Sequence, residues 1–333
     1  MSEDRISLAH GNGGRLMRQL IETHFFAAFD EPALAQGLDA TPVPATGGNL
    51  MMTVDGFTVQ PLEFPGGDLG TLAANGTIND LAVCGARPRW LTLSAILEEG
   101  LPVEQLARLV RSFAEAVRGS GATVLAGDTK VVPHGQGGGA YLTVTGLGET
   151  VRGGLSFAGI RPGDKVLVSG PVGDHGTAVM LAREDFDLRG DVRSDCASVL
   201  GLCEAAWALD GLRFLRDPTR GGLATVANEI AQATGQGIRL SEPCIPLHPA
   251  TTSVCEMLGF DPYYLACEGR VVAVVGPEDA GPLLEAWRAL PEGAQAAEIG
   301  QVAGDAPRVV LETEIGGERL LDELEDDPLP RIC

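Results

Sequence analysis

Apolar residues along this chain fall into short continuous runs and into longer stretches with helical spacing, and the two kinds alternate. That alternation predicts mixed α and β structure. In the first half, Leu50–Val54, Trp90–Leu97, Thr123–Ala126 and Tyr141–Thr145 read as strands. Pro102–Val117 reads as a helix: Leu106, Leu109, Val110, Phe113 and Val117 recur at the helical period, and Gly119 and Gly121 stand past its end. A second helix opens at Asp68 and runs to Val83. Its apolar residues Leu69, Leu72, Ile78, Leu81 and Val83 lie all round it, so it should be largely buried.

A turn-rich stretch from Arg152 to Asp164 leads into the buried strand Val166–Ser169. Beyond it, Gly222–Thr234 is helical with Leu223, Val226, Ala227 and Ile230 on one face, Val271–Val275 is a buried strand, and Ala280–Leu290 is a helix. Val309–Thr313 and Arg319–Leu321 flank Gly316-Gly317 as a hairpin. Two α/β (α+β) domains of similar size account for the pattern better than one large sheet, the first over residues 1–155 and the second over 156–321. Residues 322–333 break the pattern. Asp322, Glu323, Glu325, Asp326 and Asp327 are followed by Pro328-Leu329-Pro330-Arg331-Ile332-Cys333. Self-repelling charge and two prolines predict a flexible, extended tether carrying Cys333; ten such residues would reach ~33 Å.

Composition narrows the partners. The 333 residues carry 24 Lys+Arg against 45 Asp+Glu, a formal charge of −21. So acidic a surface argues against nucleic acid and anionic membrane. No apolar run reaches the ~18–20 residues of a membrane span, and Met1-Ser2-Glu3-Asp4-Arg5 lacks a signal-peptide pattern. Seven cysteines without CxxC spacing fit a reduced, cytoplasmic protein. Cys84, Cys196, Cys203, Cys244, Cys255 and Cys267 read as small buried hydrophobes. Only two of the basic residues are lysines, Lys130 and Lys165. In so Arg-rich a chain, a lysine is either a chance survivor or a position that needs a compact ammonium, whose geometry Arg cannot mimic.

The common nucleotide-loop, hydrolase and zinc signatures are absent. What recurs is aspartate at the ends of apolar runs, in four segments: Asp55 beside Gly56, Asp68 and Asp80 on one helix beside Gly67 and Asn79, Asp128 beside Gly127, and Asp217 in Arg216-Asp217-Pro218. On the helix from Asp68, the residues Asp68, Asn75 and Asn79 fall within about 20° of one line, with Asp80 about 100° further round. Unpartnered burial would cost roughly 1–3 kcal/mol for each such group, so something polar must meet that face. Magnesium is a candidate, because it takes oxygen ligands and bridges substrate phosphates. Turn formation or helix capping explains any one of these aspartates, but explains four together poorly. The glycine-rich His10-Gly11-Asn12-Gly13-Gly14 could wrap phosphates with its backbone N–H groups.

Taken together, HGNGG from His10, VDGF from Val54, FPGGDLG from Phe64, NGTINDLA from Asn75, GDTK from Gly127, RDPTRGG from Arg216 and PRIC from Pro330 resemble the HypE family of hydrogenase maturation proteins. The match runs in register from residue 7 to 333. More distantly, the pattern is similar to the PurM-like superfamily of aminoimidazole ribonucleotide synthetase, selenophosphate synthetase and thiamine-monophosphate kinase. The resemblance implies a homodimer whose N-terminal domains pair into a β-barrel, with ATP and Mg²⁺ near the interface and a C-terminal α/β domain. It implies ATP-dependent dehydration of a carbamoyl group carried on the chain's own Cys333, giving a thiocyanate that supplies cyanide to the iron of [NiFe]-hydrogenase. The implied partners are a HypF-like carbamoyltransferase and a HypC–HypD acceptor complex. Carried over by motif, Asp55, Asp80, Asp128 and Asp217 would bind metal. The residues His10, Gly11, Asn12, Gly13, Asp68, Asn75, Thr219 and Arg220 would join them at the nucleotide, and Lys130 and Glu268 would sit near the tail.

The chemistry is consistent with those types. A thiocarbamate amide loses water only if its oxygen is first made a good leaving group, here by phosphoryl transfer from ATP, and if a base removes the N–H protons. Glu268 is the candidate base, and Lys130 would neutralise charge on the transferring phosphoryl group. The tail acids should keep the Cys333 thiol from reacting unaided, so loading needs a partner. Two other readings stand beside this one. The first is another ATP-dependent kinase or synthetase of the superfamily, although no cysteine precedes Cys84 to serve as the reactive residue of a selenophosphate synthetase. The second is a non-catalytic carrier whose tail ATP merely gates.

Overall fold

The computed structural model describes residues 14–20, 22, 40–42, 49–183 and 191–324. In its first half lie α1 (Arg15–Leu20), β1 (Thr41–Pro42), β2 (Leu50–Phe57), the short hairpin β3 (Glu63–Phe64) and β4 (Gly67–Asp68), α2 (Leu69–Val83), β5 (Ala86–Glu98), α3 (Val103–Ser120), β6 (Thr123–Val132) and β7 (Ala140–Thr150). A five-stranded sheet has the order β1-β2-β7-β5-β6. Its pairs are antiparallel except β5–β6, whose parallel pairing needs the crossover that α3 supplies. The expected strands and both helices form here; α3 ends at Gly121, left-handed at φ 77°.

Helix α2 lies on one face of this sheet with α3 beside it, and Leu69, Leu72, Ile78, Phe113, Leu142 and Val144 fill the core between them. As expected, α2 is buried almost all round. Gly76 makes that approach possible, since a Cβ there would sit 2.6 Å from the Phe57 ring. The opposite face is open among the described residues. Met52, Val54, Trp90, Ile96 and Tyr141 are exposed on it, and β6 is exposed along nearly its whole length.

The second half comprises β8 (Lys165–Val168), α4 (Asp174–Ala182), α5 (Leu200–Trp207), β9 (Leu212–Arg216), α6 (Gly222–Thr234), β10 (Gly237–Ser241), α7 (Pro249–Leu258), β11 (Val272–Val275), α8 (Pro277–Arg288), β12 (Ala297–Ala303), β13 (Val309–Glu312) and β14 (Glu318–Leu320). Its seven-stranded sheet runs β14-β13-β10-β12-β8-β11-β9. Strand alternation divides its side chains between two cores. Val166, Val168, Phe214, Val272 and Val274 meet Leu223, Val226 and Ile230 of α6. Leu167, Leu215, Ala273 and Val275 meet Leu202 and Ala206 of α5 and Leu283 and Trp287 of α8. The end of α2 enters the latter core through Leu81, Ala82 and Val83, and Trp207 Nε1 donates to the Ala82 carbonyl at 3.2 Å. Thus α2 joins the halves.

Two expectations change. The tether expected from residue 322 is docked over its first residues: Tyr264 donates its hydroxyl to the Asp322 carbonyl at 2.8 Å, Arg18 pairs with Glu323 at 2.5 Å, and the Arg15 N–H donates to the Leu324 carbonyl at 3.3 Å. Residues 325–333, with Cys333, lie outside the described residues, as do His10, Gly11, Asn12 and Gly13. Of the six other cysteines four are buried, but Cys196 is half-buried and Cys244 is exposed, because it closes a one-turn 3₁₀ segment at the surface. No helix of the described residues is long and apolar enough to cross a membrane.

Candidate active site

The expected site residues gather mainly where α2, the β9–α6 loop and the loop before β11 meet. On β2, Thr53 and Asp55 face the helix side, and the Thr53 hydroxyl donates to Asp80 Oδ2 of α2 at 2.8 Å. Arg220 of the β9–α6 loop reaches Asp55 Oδ1 at 3.8 Å. That loop is a tight turn: the Thr219 N–H donates to the Asp217 carbonyl at 3.0 Å and the Gly222 N–H to the Thr219 carbonyl at 3.0 Å. Gly222 has φ +57°, and a Cβ there would stand 2.5 Å from the Leu265 carbonyl oxygen, so the double glycine seats this loop against the next. The Cys267 N–H completes the join, donating to the Pro218 carbonyl at 3.0 Å. Asp217 and Glu268 are thereby both buried at the junction.

The Glu268 carboxyl is strongly perturbed. Burial, with Asp217, Asp195 and Asp55 facing it, pushes it well above the usual carboxylate range, against the opposing pull of Arg220. Its proton is held tightly, and once lost it leaves a strong base. Neighbouring Cys267 is inert: its Sγ accepts from the Gly173 N–H at 3.2 Å, and burial raises its thiol well above the ordinary value.

Two expected residues stand elsewhere. Asp128 and Lys130 are on β6, paired with each other at 2.9 Å and both exposed. The register runs Asp55–Val144–Leu93–Gly127 across the sheet. Asp128 is therefore about 14 Å from Asp55, three strand spacings of ~4.8 Å, and on the opposite face. Strand alternation is the reason: next to Gly127 in the helix-facing row, Asp128 must face outward.

The polar line on α2 also has another explanation. Asp68 is its N-cap, accepting from the Thr71 N–H at 2.8 Å and from the Ser112 hydroxyl at 2.7 Å. Asn75 Nδ2 meets Cys196 Sγ at 4.0 Å. Asn79 donates to the carbonyls of Ala197 at 3.1 Å and Glu268 at 3.4 Å and accepts from the Val199 N–H at 2.8 Å. Backbone from the second half, rather than a metal, meets Asn79. Among the described residues no group of three or more His, Cys, Asp and Glu converges as a closed metal cage. Asp55, Asp80 and Asp217 remain hard oxygen donors at one junction, the kind of sparse set that suits Mg²⁺ carried on phosphates. Sequence reasoning missed Asp195, which carries no motif; its partner lies more than seventy residues on.

Known proteins match this chain over both of its halves. Residues 37–150 match the N-terminal domain, and residues 161–312 the C-terminal domain, of AIR synthase related proteins. The chain is 47% identical over 334 residues to the carbamoyl dehydratase HypE of Cupriavidus necator, covering 99% of this chain and 95% of that protein. A crystal structure of a HypE–HypF complex superimposes with a TM-score of 0.87 at 42% identity, over 92% of this chain and 99% of that one. HypE in complex with ATP superimposes at 0.81 and 41%, over 99% and 100%. With both halves matched and near-complete coverage, this chain belongs to the HypE family of AIR-synthase-related proteins.

Proposed function

We propose that this chain is an ATP-dependent carbamoyl dehydratase of [NiFe]-hydrogenase maturation, converting a thiocarbamate on its own Cys333 into a thiocyanate that supplies cyanide to iron. The observation that carries this is Glu268, a buried carboxyl facing Asp217 and Asp55 in a chain 47% identical to a carbamoyl dehydratase. ATP supplies the phosphoryl group that turns the amide oxygen into a leaving group, and Mg²⁺ supplies charge neutralisation. Asp55, Asp80 and Asp217 would hold the metal. Arg220, Thr219, Asp68, Asn75 and the His10–Gly13 loop would bind the nucleotide. Glu268 takes the amide N–H protons as the C≡N bond forms, and burial keeps water from that carboxyl.

The open sheet face supports a homodimer. Exposed Val54, Trp90 and Tyr141, with a ten-residue edge strand beside them, make the kind of surface that a second copy covers. In such a dimer Asp128 and Lys130 would face the partner, where they could complete its phosphate site. A HypF-like carbamoyltransferase loads Cys333 and a HypC–HypD complex accepts the cyanide, in the cytoplasm, where such a thiol stays reduced. The test is the intact mass of the carbamoylated chain after addition of Mg·ATP. Loss of one water from Cys333 is expected, and Glu268→Gln slows that loss by about 10²–10⁴-fold while leaving loading intact. Retention of the carbamoyl group by the unmodified chain would leave only an ATP-gated carrier.

A further inference from the structure

We propose that Asp195 is a positioning residue of the dehydration: together with Asn79 it clamps the backbone on both sides of Glu268 and so holds that carboxyl at the reacting group. The inference rests on Glu268 being the base.

Asp195 lies in the segment leading into α5, and its side chain is fully buried. Its Oδ1 accepts from the Glu268 N–H at 3.0 Å and its Oδ2 from the Gly269 N–H at 3.3 Å. Arg270 Nε stands 3.4 Å from the same Oδ2. A fully buried carboxylate is tolerated only when such partners replace its water, and here two of the three are the amides that bracket Glu268. The Glu268 carbonyl is held from the other direction, by the Ala197 N–H at 3.3 Å and Asn79 Nδ2 at 3.4 Å. Both peptide groups flanking the Glu268 Cα are therefore tied, one set of ties coming from α2 and the other from the segment before α5. Gly269 permits the approach, since a Cβ there would run into the Asp195 backbone carbonyl.

The experiment is a double-mutant cycle read by single-turnover loss of water from the carbamoylated full-length chain with Mg·ATP. Asp195→Asn keeps the shape but can no longer accept both amides. The expected result is a fall in dehydration rate on the order of 100-fold, the usual cost of displacing a reacting group by about 1 Å. ATP affinity should stay within about twofold, and no further loss should occur in the Glu268→Gln background. Asn79→Ser loosens the carbonyl side with the Asp195–Arg270 pair intact and gives the same pattern, should Asp195→Asn fold poorly. A wild-type rate for both variants, or losses that multiply with that of Glu268→Gln, overturns the proposal while the base assignment stands. A wild-type rate for Glu268→Gln itself removes the base assignment and the clamp with it.

Discussion

In β11 all four residues are buried, with α6 against one face of its sheet and α5 and α8 against the other. In β6 nine of the ten residues are exposed, and on β2, in the same sheet, Val54 is 62% exposed. The second half has both faces of its sheet packed, one of them with help from the end of α2, whereas the described residues of the first half cover only one face of theirs. The site residues divide along the same line. Asp217 and Glu268 are buried at the closed junction, whereas Asp128 and Lys130 project from the open face. One chain alone thus leaves Asp128 and Lys130 in water, and the proposed dimer is what would bring them under cover.

The largest effect should come from breaking that cover. Val54→Asp places one carboxylate per protomer in the proposed interface, each an unpaired buried charge costing several kcal/mol. Sedimentation should show monomers at concentrations where the unmodified chain is dimeric, with a dimer dissociation constant raised 1,000-fold or more. The melting temperature of the monomer should hardly move, because the position is already wet. The same change at Val274, buried in β11, should unfold the chain instead. Unchanged sedimentation of Val54→Asp would mean that the open face is not the interface.

The contrast also explains what could be read along the chain. Val166–Val168 and Val271–Val275 are legible because strands buried on both faces are apolar at every position. β12 is not: Ala297–Ala303 includes Gly300 and Gln301, and it becomes a strand only between β10 and β8. α4 was hidden for a related reason. It has no side-chain cap, its N-cap being Gly173, and it is buried nearly all round, so no period marks it. At the site, Asp55, Asp217 and Glu268 could be found from aspartate–glycine turns and family motifs. Those motifs are linear, however, and a sheet has two faces, so nothing local told that Asp128 and Lys130 would turn away. The polar line of α2 was recognised as needing partners, but the backbone that satisfies Asn79 comes from 118 residues further on and leaves no local trace.

A smaller effect sharpens the closed side of the comparison. His175 of α4 is fully buried, its Nδ1 2.8 Å from the Ser194 hydroxyl and its ring edge-on to Phe64 of the β3–β4 hairpin at 5.4 Å. Burial lowers its pKa to about 3. The folded chain therefore keeps it neutral, while the unfolded chain protonates it below ~6.5. Stability contributed by this group is complete above that pH and is lost as pH falls towards 3, by up to ~1.4 kcal/mol per unit. Urea unfolding at pH 6.5 and 4.5 should differ by about 2 kcal/mol more for the unmodified chain than for His175→Asn. Glu63, held below its ordinary value chiefly by Arg108, adds a loss of the same sign in both proteins and cancels. Equal pH slopes would mean that His175 is protonated in the fold.

The smallest effect concerns the root of the tail, which is docked on the closed half by a residue from the chain's beginning. Arg18 holds Glu323 through two contacts, at 2.5 and 2.9 Å, and Gln232 of α6 donates to the same carboxylate at 2.9 Å. The pair is only partly buried, so its loss should cost about 0.5–1 kcal/mol. By that magnitude, Arg18→Ala should speed hydrogen exchange at the Leu321–Leu324 amides about two- to five-fold, leaving the sheet amides of both halves and the dimer untouched. If exchange accelerates equally in β6 or β11, the tail root is part of the general fold. If it does not accelerate at all, the hydrogen bonds from Tyr264 and Asn228 to the carbonyls of Asp322 and Leu321 already suffice to hold the root without help from α1.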